Sequence, residues 1–216
     1  RINLKIRSDV ESEINGMGPV IRKEDLELLY EQLDTLKDDD VLVLAGSIPS
    51  GMPQSIYRDI MSRLQSKRIK IAVDATKDLL MNVLAYHPFV IKPNNHELSE
   101  IFDIMIDSKE KAVVYAKELQ KKGAQNVIVS MAGEGAVFVG SDGSVFTSEA
   151  PHGVVKNSVG AGDSMVAGFL AGYLAKGDYA EAFKMGLCTG SASAFSDQLA
   201  TREEVEQVRR SHIFDF

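Results

Sequence analysis

A continuous apolar stretch that recurs between helical segments is the feature that most limits the fold of this 216-residue chain. Residues 41–45 read Val-Leu-Val-Leu-Ala, which predicts a strand buried on both faces. The segment before it, from Lys23, carries leucines at helical spacing. The alternation continues, with helices predicted at 55–64, 77–85 and 109–122 and strands at 69–73, 89–91 and 126–130. This pattern predicts an α/β fold whose sheet is mostly parallel, with helices on both faces.

The two ends of the chain depart from this alternation. Extended segments at 135–139 and 144–147 flank Ser141-Asp142-Gly143, which predicts a hairpin and an antiparallel end to the sheet. Only helices are predicted after it, including one at 180–195. At the other end, short extended pieces at 2–6 and 10–14 form an excursion from the main body. Because the sequence lacks an initiator Met and opens within a strand pattern, we expect it to begin inside a longer protein.

Composition excludes two broad classes of function. The formal net charge of −7 leaves no basic face for a nucleic acid backbone. No apolar run approaches the roughly 20 residues that a membrane helix needs. The single cysteine, Cys188, cannot form an internal disulfide, and we expect it to be a buried packing residue in a protein of the reducing cytoplasm.

A glycine turn followed by one carboxylate is the most informative local motif. Residues 157–164 read Asn-Ser-Val-Gly-Ala-Gly-Asp-Ser and precede an apolar helix predicted at 165–174. Gly160 and Gly162 lack a Cβ and Ala161 has only a methyl group, so backbone N–H groups can approach an anion at the positive helix end. Asp163 then lies where it can accept a hydroxyl proton. Phosphoryl transfer needs positioning, charge stabilisation and one such base, so the motif predicts a kinase.

Other polar residues follow predicted strands, where ligands gather in open parallel sheets. Ser47, in a turn after residues 41–45, can hydrogen-bond a sugar or phosphate oxygen, although a turn rich in breaker residues is the simpler interpretation. Asp74 follows the next strand. Its carboxylate suits a hydroxyl or a metal, but an N-cap of the following helix is the preferred interpretation.

Two further segments carry candidate ligands for a nucleotide. Asn94 and Glu97 are three residues apart and face one direction at a helix start. They suit a hydrated Mg²⁺, which keeps most of its waters, and they suit equally well an N-cap with its partner at N3. The loop from Ser130 to Gly135 contains glycine between two strands, which allows contact with nucleotide phosphates.

The sequence lacks the familiar motifs of other nucleotide-binding sites, zinc sites and serine hydrolases. No Gly-Lys-Ser/Thr ends a phosphate loop, and Phe138 occupies the third glycine position of a dinucleotide fingerprint after Gly133-Glu134-Gly135. The four histidines lack the spacing of zinc ligands, and no Gly-x-Ser-x-Gly elbow is present.

Three motifs in this order resemble the phosphofructokinase B group of the ribokinase-like sugar kinases: Gly46-Ser47-Ile48-Pro49, residues 92–98 (Lys-Pro-Asn-Asn-His-Glu-Leu) and residues 157–164. The resemblance spans essentially the whole chain. Residues 1–6 and 13–19 look most like the bacterial 1-phosphofructokinases, with tagatose-6-phosphate kinases close behind. The resemblance implies MgATP-dependent phosphorylation of the C6 hydroxyl of fructose 1-phosphate. Its alternatives are a tagatose-6-phosphate kinase, another sugar kinase of the group, or a truncated nucleotide-binding fragment without kinase activity.

The resemblance also implies a role for each matching residue. Asp163 is the base, and Gly160, Ala161 and Gly162 form the anion hole. Contacts to the sugar phosphate fall on Arg1, Ser47 and Asp163, and those to Mg²⁺ on Glu97 and Asn94. Contacts to ATP fall on Lys92, Asn94, Ser130, Met131, Ala132, Gly133, Glu134, Gly135, Gly162, Asp163 and Gly190. Ala132 stands where the loop of the family usually has glycine.

The resemblance further implies a ribokinase-like three-layer α/β/α sandwich. Residues 1–19 are then a remnant of a small β lid and residues 20–216 the nucleotide-binding and catalytic core, with the N-terminal part of the family absent. Lids of this family clasp one another, which implies a homodimer through the lid in the full-length protein.

Overall fold

The computed structural model describes residues 3–6, 12–16, 18–49 and 51–216. The strands are β1 (Asn3–Ile6), β2 (Ser12–Asn15), β3 (Val41–Ala45), β4 (Lys70–Asp74), β5 (Val90–Ile91), β6 (Asn126–Ser130), β7 (Ala136–Val139) and β8 (Val145–Ser148). The helices are α1 (Lys23–Asp34), α2 (Ile56–Leu64), α3 (Lys77–Met81), α4 (Asn95–Phe102), α5 (Lys109–Lys121), α6 (Ala161–Lys176), α7 (Tyr179–Phe195) and α8 (Arg202–Ser211). Short 3₁₀ turns occupy Leu84–Tyr86 and Ala132–Glu134.

Within the described residues, six strands form the main sheet in the order β3-β4-β5-β6-β7-β8. β3 to β6 pair in parallel, and β6, β7 and β8 pair antiparallel, as the sequence predicts. β1 and β2 form a separate antiparallel pair with Asn3 opposite Asn15. The division into a lid at 1–19 and a core at 20–216 stays a prediction.

Helices cover both faces of the main sheet because side chains alternate along each strand. In β6, Val127 and Val129 join the apolar cluster that contains residues of α2, α4 and α5. Ile128, between them, joins the cluster formed with α6 and α7. Cys188 is buried in α7, and burial raises the pKa of its thiol to about 11, which confirms it as a packing residue. No helix in the described part of the chain has the length and apolar character that crossing a bilayer requires.

Three details differ from the sequence prediction. β3 is not buried on both faces: Val43 is 46% exposed, because the α6 and α7 layer packs on β4 and the strands beyond it. α3 ends at Met81, and the chain continues through a 3₁₀ turn to His87, which has a φ of +54°. α6 begins at Ala161, four residues before the predicted start, so part of the glycine motif belongs to the helix.

Candidate active site

The carboxyl ends of β4, β5 and β6 bring together most of the candidate residues. Asp74 ends β4, and Lys92 follows β5 directly. Asn94 forms an isolated parallel bridge with Ser130 at the end of β6, where the Ser130 N–H donates to the Pro93 carbonyl at 3.2 Å. Since these strands are parallel neighbours, their ends open at one edge of the sheet, as the sequence predicts.

The glycine turn forms the N-terminus of α6. Gly160 is the N-cap with a φ of +81°, a left-handed conformation that favours glycine. Ala161, Gly162 and Asp163 form the first turn of the helix, where N–H groups have no helical carbonyl partner. The Ala161 N–H donates to the Ser158 carbonyl at 3.2 Å, so Gly162 and Asp163 carry the donors that face outward from the turn. The side chain of Asp163 is exposed to solvent. The turn therefore offers backbone donors and the positive end of the helix dipole beside an accessible carboxylate.

Lys92 and Asp74 form a buried ion pair at the same place. Lys92 Nζ lies 3.2 Å from Asp74 Oδ2, and the two side chains are 7% and 17% exposed. The N-cap interpretation of Asp74 is wrong, because Thr76 is the N-cap of α3. Burial raises the pKa of Asp74 and the negative charge of Asp163 adds to the rise, while Lys92 offsets part of it. The charge of Asp163 therefore acts on the carboxyl group of Asp74.

Asn94 and Glu97 form a reciprocal cap at the start of α4. The Glu97 N–H donates to Asn94 Oδ1 at 2.8 Å, and the Asn94 N–H donates to Glu97 Oε2 at 2.8 Å. The capping interpretation is confirmed. Burial raises the pKa of Glu97, and the hydrogen bond from the Asn94 N–H and the charge of Lys92 offset part of this rise.

A Mg²⁺ role for Glu97 is compatible with this cap and stays a prediction. The described residues contain no group of three or more His, Cys, Asp or Glu side chains that could hold a metal alone. One half-buried carboxylate together with substrate phosphates is the donor set that Mg²⁺ uses in phosphoryl transfer. The residues present therefore fit a metal that arrives with the nucleotide.

The loop from Ser130 to Gly135 turns at the end of β6. Ala132, Gly133 and Glu134 are exposed at its tip, whereas Met131 is buried in the core. Ala132 has a φ of +49°, which explains in physical terms why glycine suits this position. Gly135 has a φ of +89°, and a Cβ there would overlap the Ser148 carbonyl oxygen. The exposed tip is the part of this loop that a nucleotide can reach.

Three other candidates have different surroundings. Arg1 lies outside the described residues. Ser47 is exposed directly after β3, beside Gly46, whose φ is +84°. Gly190 is buried in α7, where a Cβ would lie 3.1 Å from the Ala161 carbonyl oxygen. Gly190 thus lets α7 pack under the start of α6, and its contact with a nucleotide stays a prediction.

One residue near the site was missed by the sequence analysis. The Tyr57 hydroxyl donates to the carbonyl of Ala45 at 2.7 Å and lies 3.1 Å from that of Gly46, so it ties α2 to the turn that carries Ser47. Burial raises the pKa of Tyr57, and the negative charge of Asp74 adds to this. A tyrosine in an amphipathic helix gave no signal of this contact.

Comparison with known proteins identifies the family. The family described as pfkB family carbohydrate kinase matches residues 3–204. The chain is 45% identical to 1-phosphofructokinase from Bacillus subtilis, over 96% of this chain and 68% of that protein. It is 29% identical to D-tagatose-1-phosphate kinase from Bacillus licheniformis, over the same shares of the two chains.

Solved structures show the same fold. Phosphofructokinase-2 from Escherichia coli, crystallised with substrates and products, superposes with a TM-score of 0.88 at 25% identity, over 96% of this chain and 69% of that one. Arabidopsis thaliana ribokinase superposes with a TM-score of 0.72 at 16% identity, over 96% of this chain and 68% of that one, which confirms the ribokinase-like α/β fold. The chain therefore belongs to the pfkB family of carbohydrate kinases, a family of ATP-dependent sugar kinases.

Proposed function

We propose that the protein transfers the γ-phosphoryl group of MgATP to the C6 hydroxyl of fructose 1-phosphate, giving fructose 1,6-bisphosphate and ADP. The observation that carries the proposal is the accessible carboxylate of Asp163 in the first turn of α6, beside Gly162 and the buried ammonium of Lys92. The choice of acceptor is supported by the 45% identity to a 1-phosphofructokinase.

The proposed transfer is direct, without a covalent enzyme intermediate. Asp163 accepts the proton of the C6 hydroxyl while the oxygen of that hydroxyl bonds to the γ-phosphorus. At the same time the bond between the γ-phosphorus and the oxygen that leaves with ADP breaks. The N–H groups of the first turn of α6 donate to the oxygens of the migrating phosphoryl group. The turn thus stabilises charge while the base aligns the attacking oxygen.

The remaining candidates would hold the substrates. Glu97 and Asn94 would hold Mg²⁺ through water, and the metal neutralises phosphate charge when it is bound. The loop tip at Ala132 and Gly133 would contact the nucleotide, with Gly190 nearer its base. Ser47 and Arg1 would contact the sugar phosphate, where the planar guanidinium of arginine suits two phosphate oxygens at once.

Asp163→Asn tests the assignment of the base. In this variant kcat should fall by a factor of about 10² to 10⁴, with MgATP binding retained. The matched control is Asp78→Asn, the same change at an exposed aspartate in the first turn of α3. Near-normal turnover of Asp163→Asn would reject the proposal.

A second candidate acceptor is a tagatose phosphate. The relative named D-tagatose-1-phosphate kinase favours tagatose 1-phosphate over the 6-phosphate that the sequence resemblance implied. A panel of the three sugar phosphates in a coupled ADP-release assay separates them by kcat/KM. ATP binding with no sugar-dependent turnover would instead favour a nucleotide-binding protein without kinase activity.

The location of the protein in the cell and its oligomeric state remain proposals. We propose a cytoplasmic location, supported by a single buried thiol that has no disulfide partner in the chain. We also propose a homodimer through the predicted lid, supported by Ile14 on β2, which is 58% exposed.

A further inference from the structure

We propose that Ser193 is a positioning residue for phosphoryl transfer, because its buried hydroxyl holds the first turn of α6, which carries Asp163, against α7. This inference rests on the proposed function, in which the amides of that turn and Asp163 act on the reacting groups. It adds a residue outside the glycine motif on which the placement of those groups depends.

The glycine turn has little stiffness of its own. Gly160 and Gly162 flank Ala161, and glycine restricts the backbone less than any other residue. Hydrogen-bond donors stabilise a developing charge best when they are already in place, since no energy is then spent on moving them during the reaction. Contacts from other elements therefore have to fix this turn.

α7 contacts the chain on both sides of the turn. Before the turn, the N–H groups of Lys156 and Asn157 donate to the Ala194 carbonyl at 2.8 and 3.1 Å. After the turn, the Thr189 hydroxyl lies 2.8 Å from the Ser164 carbonyl oxygen. It lies equally close to a carbonyl oxygen within α7 itself, so its single proton is shared between the two helices. The contact of Thr189 with α6 is weakened by that competition.

Ser193 makes a side-chain contact with α6 that is free of this competition. Its hydroxyl donates to Ser164 Oγ at 2.8 Å and accepts the Ala200 N–H at 3.1 Å, and the residue is only 3% exposed. A hydrogen bond between buried groups is costly to lose, because its partners are left unsatisfied. Since Ser164 directly follows Asp163, this bond fixes α6 at the residue next to the proposed base.

The loop between α7 and α8 lies against the other side of the turn. A Cβ at residue 160 would be 2.7 Å from Leu199 Cδ2. The ion pair between Lys156 and Asp197, with 3.6 Å from Nζ to Oδ2, is largely exposed and contributes little to holding this loop. The bond from the Ala200 N–H to the buried hydroxyl is the stronger contact. One hydroxyl thus joins the loop, α7 and the start of α6.

Ser193→Ala tests the role in turnover. We expect kcat to fall by about tenfold, because the base and the donors lose their alignment with the reacting atoms. The KM values for MgATP and for the sugar phosphate should change by less than about twofold, since these interactions strengthen only in the transition state. Ser193→Thr keeps the hydroxyl and should recover part of kcat. In the Ser164→Ala background, Ser193→Ala should lower kcat by less than a further factor of about two.

The matched control is Ser196→Ala. Ser196 is also buried, but its hydroxyl contacts the Ala192 carbonyl and Glu204, and neither residue belongs to α6. This variant loses a buried hydroxyl of the same kind, and its kcat should stay within about twofold of the wild type. Thermal unfolding of every variant identifies one that does not fold, and the comparison with Ser164→Ala then replaces the recovery by Ser193→Thr.

Amide hydrogen exchange tests the inference without turnover. In Ser193→Ala, the peptide that covers residues 157–165 should exchange at least about fivefold faster than in the wild type, because the contact that holds the turn is lost. The same peptide should exchange at the wild-type rate in Ser196→Ala. Exchange that is faster by the same factor along the whole chain would show a general loss of stability and would overturn the inference.

The outcomes separate this inference from the proposed function. Unchanged exchange of residues 157–165 in Ser193→Ala, or a higher KM at unchanged kcat, would overturn the inference whichever sugar phosphate is the acceptor. If fructose 1-phosphate is not phosphorylated, the proposed acceptor fails, and the ratio of kcat values is measured with the acceptor that the panel identifies. If no sugar phosphate is turned over, the proposed function fails and the exchange of residues 157–165 alone decides whether Ser193 holds the turn.

Discussion

Glu97 carries two proposed tasks, and a pair of substitutions can separate them. Its carboxylate caps α4 through the 2.8 Å bond from the Asn94 N–H, and it is the candidate Mg²⁺ ligand. Glu97→Gln keeps an oxygen that accepts this bond but removes the charge. Glu97→Ala removes both. If Glu97 both caps α4 and binds Mg²⁺, the two variants should need the same increase in Mg²⁺ concentration, but Glu97→Ala should be the less stable.

The structure sets the size of each effect. Loss of a capping interaction costs about 1 kcal/mol, which for a domain of this size lowers Tm by about 2–4 °C in Glu97→Ala. Glu97→Gln loses a favourable charge at a helix N-terminus, about 0.3–1 kcal/mol. Burial raises the pKa of Glu97, so the ionised form is also disfavoured in the folded protein, and removing the charge relieves that cost. The two effects oppose each other, and Tm of Glu97→Gln should stay within about 2 °C of the wild type.

Metal dependence is measured as the Mg²⁺ concentration that gives half-maximal activity at saturating nucleotide and sugar phosphate. Partners that hold a metal through its water shell typically contribute a factor of about 10–100 in affinity, so both variants should need at least about tenfold more Mg²⁺. If Glu97→Gln is activated at the wild-type Mg²⁺ concentration, Glu97 only caps the helix. If Glu97→Ala is as stable as Glu97→Gln, the capping energy is negligible and the reasoning from the hydrogen bonds fails.

Two further predictions concern glycine positions. In Gly168→Ala the new Cβ would overlap Thr189 Oγ1 and lie 2.7 Å from the Met185 carbonyl oxygen. Calorimetry should therefore find that the free energy of unfolding falls by about 1–2 kcal/mol. Adding Thr189→Ala should recover part of this loss. Gly51→Ala, with nothing within 4 Å of its Cβ, is the control, and equal Tm values for the two alanine variants would contradict the overlap. Ala132→Gly should stabilise the protein by roughly 0.5–1 kcal/mol in denaturant titrations, because alanine is strained at a φ of +49°, and no gain would argue against that strain.

The layout of the site follows from features that sequence patterns report well. Apolar runs of β4, β5 and β6 identify parallel strands, and the residues that follow parallel strands meet at one edge of the sheet. Lys92 and Asn94 could therefore be assigned to that edge without coordinates. The start of α6 was misplaced because Ala161, Gly162 and Asp163 contribute little to the apolar periodicity that marks a helix.

The sequence could not show which distant residue each polar side chain contacts. An aspartate before a helix usually caps it, and that local rule predicted the role of Asp74. The competing partner, Lys92, is distant in the chain and becomes a neighbour only through the β4–β5 register. The same limit applies to Tyr57, whose hydroxyl reaches the carbonyl of Ala45 from another element. Tertiary contacts of this kind override local preference because they satisfy buried charges and polar groups.

Gly160 and Gly162 look equivalent in the sequence, yet the structure gives them different reasons to be glycine. Gly160 needs a left-handed backbone, with a φ of +81°, to turn the chain into α6. Gly162 is helical, and its missing side chain leaves the space that Lys92 Nζ approaches. A substitution at Gly160 therefore strains the turn itself, whereas one at Gly162 acts on a cation that belongs to another strand end. Because the two effects arise from different atoms, only the defect at residue 162 should depend on whether residue 92 is a lysine.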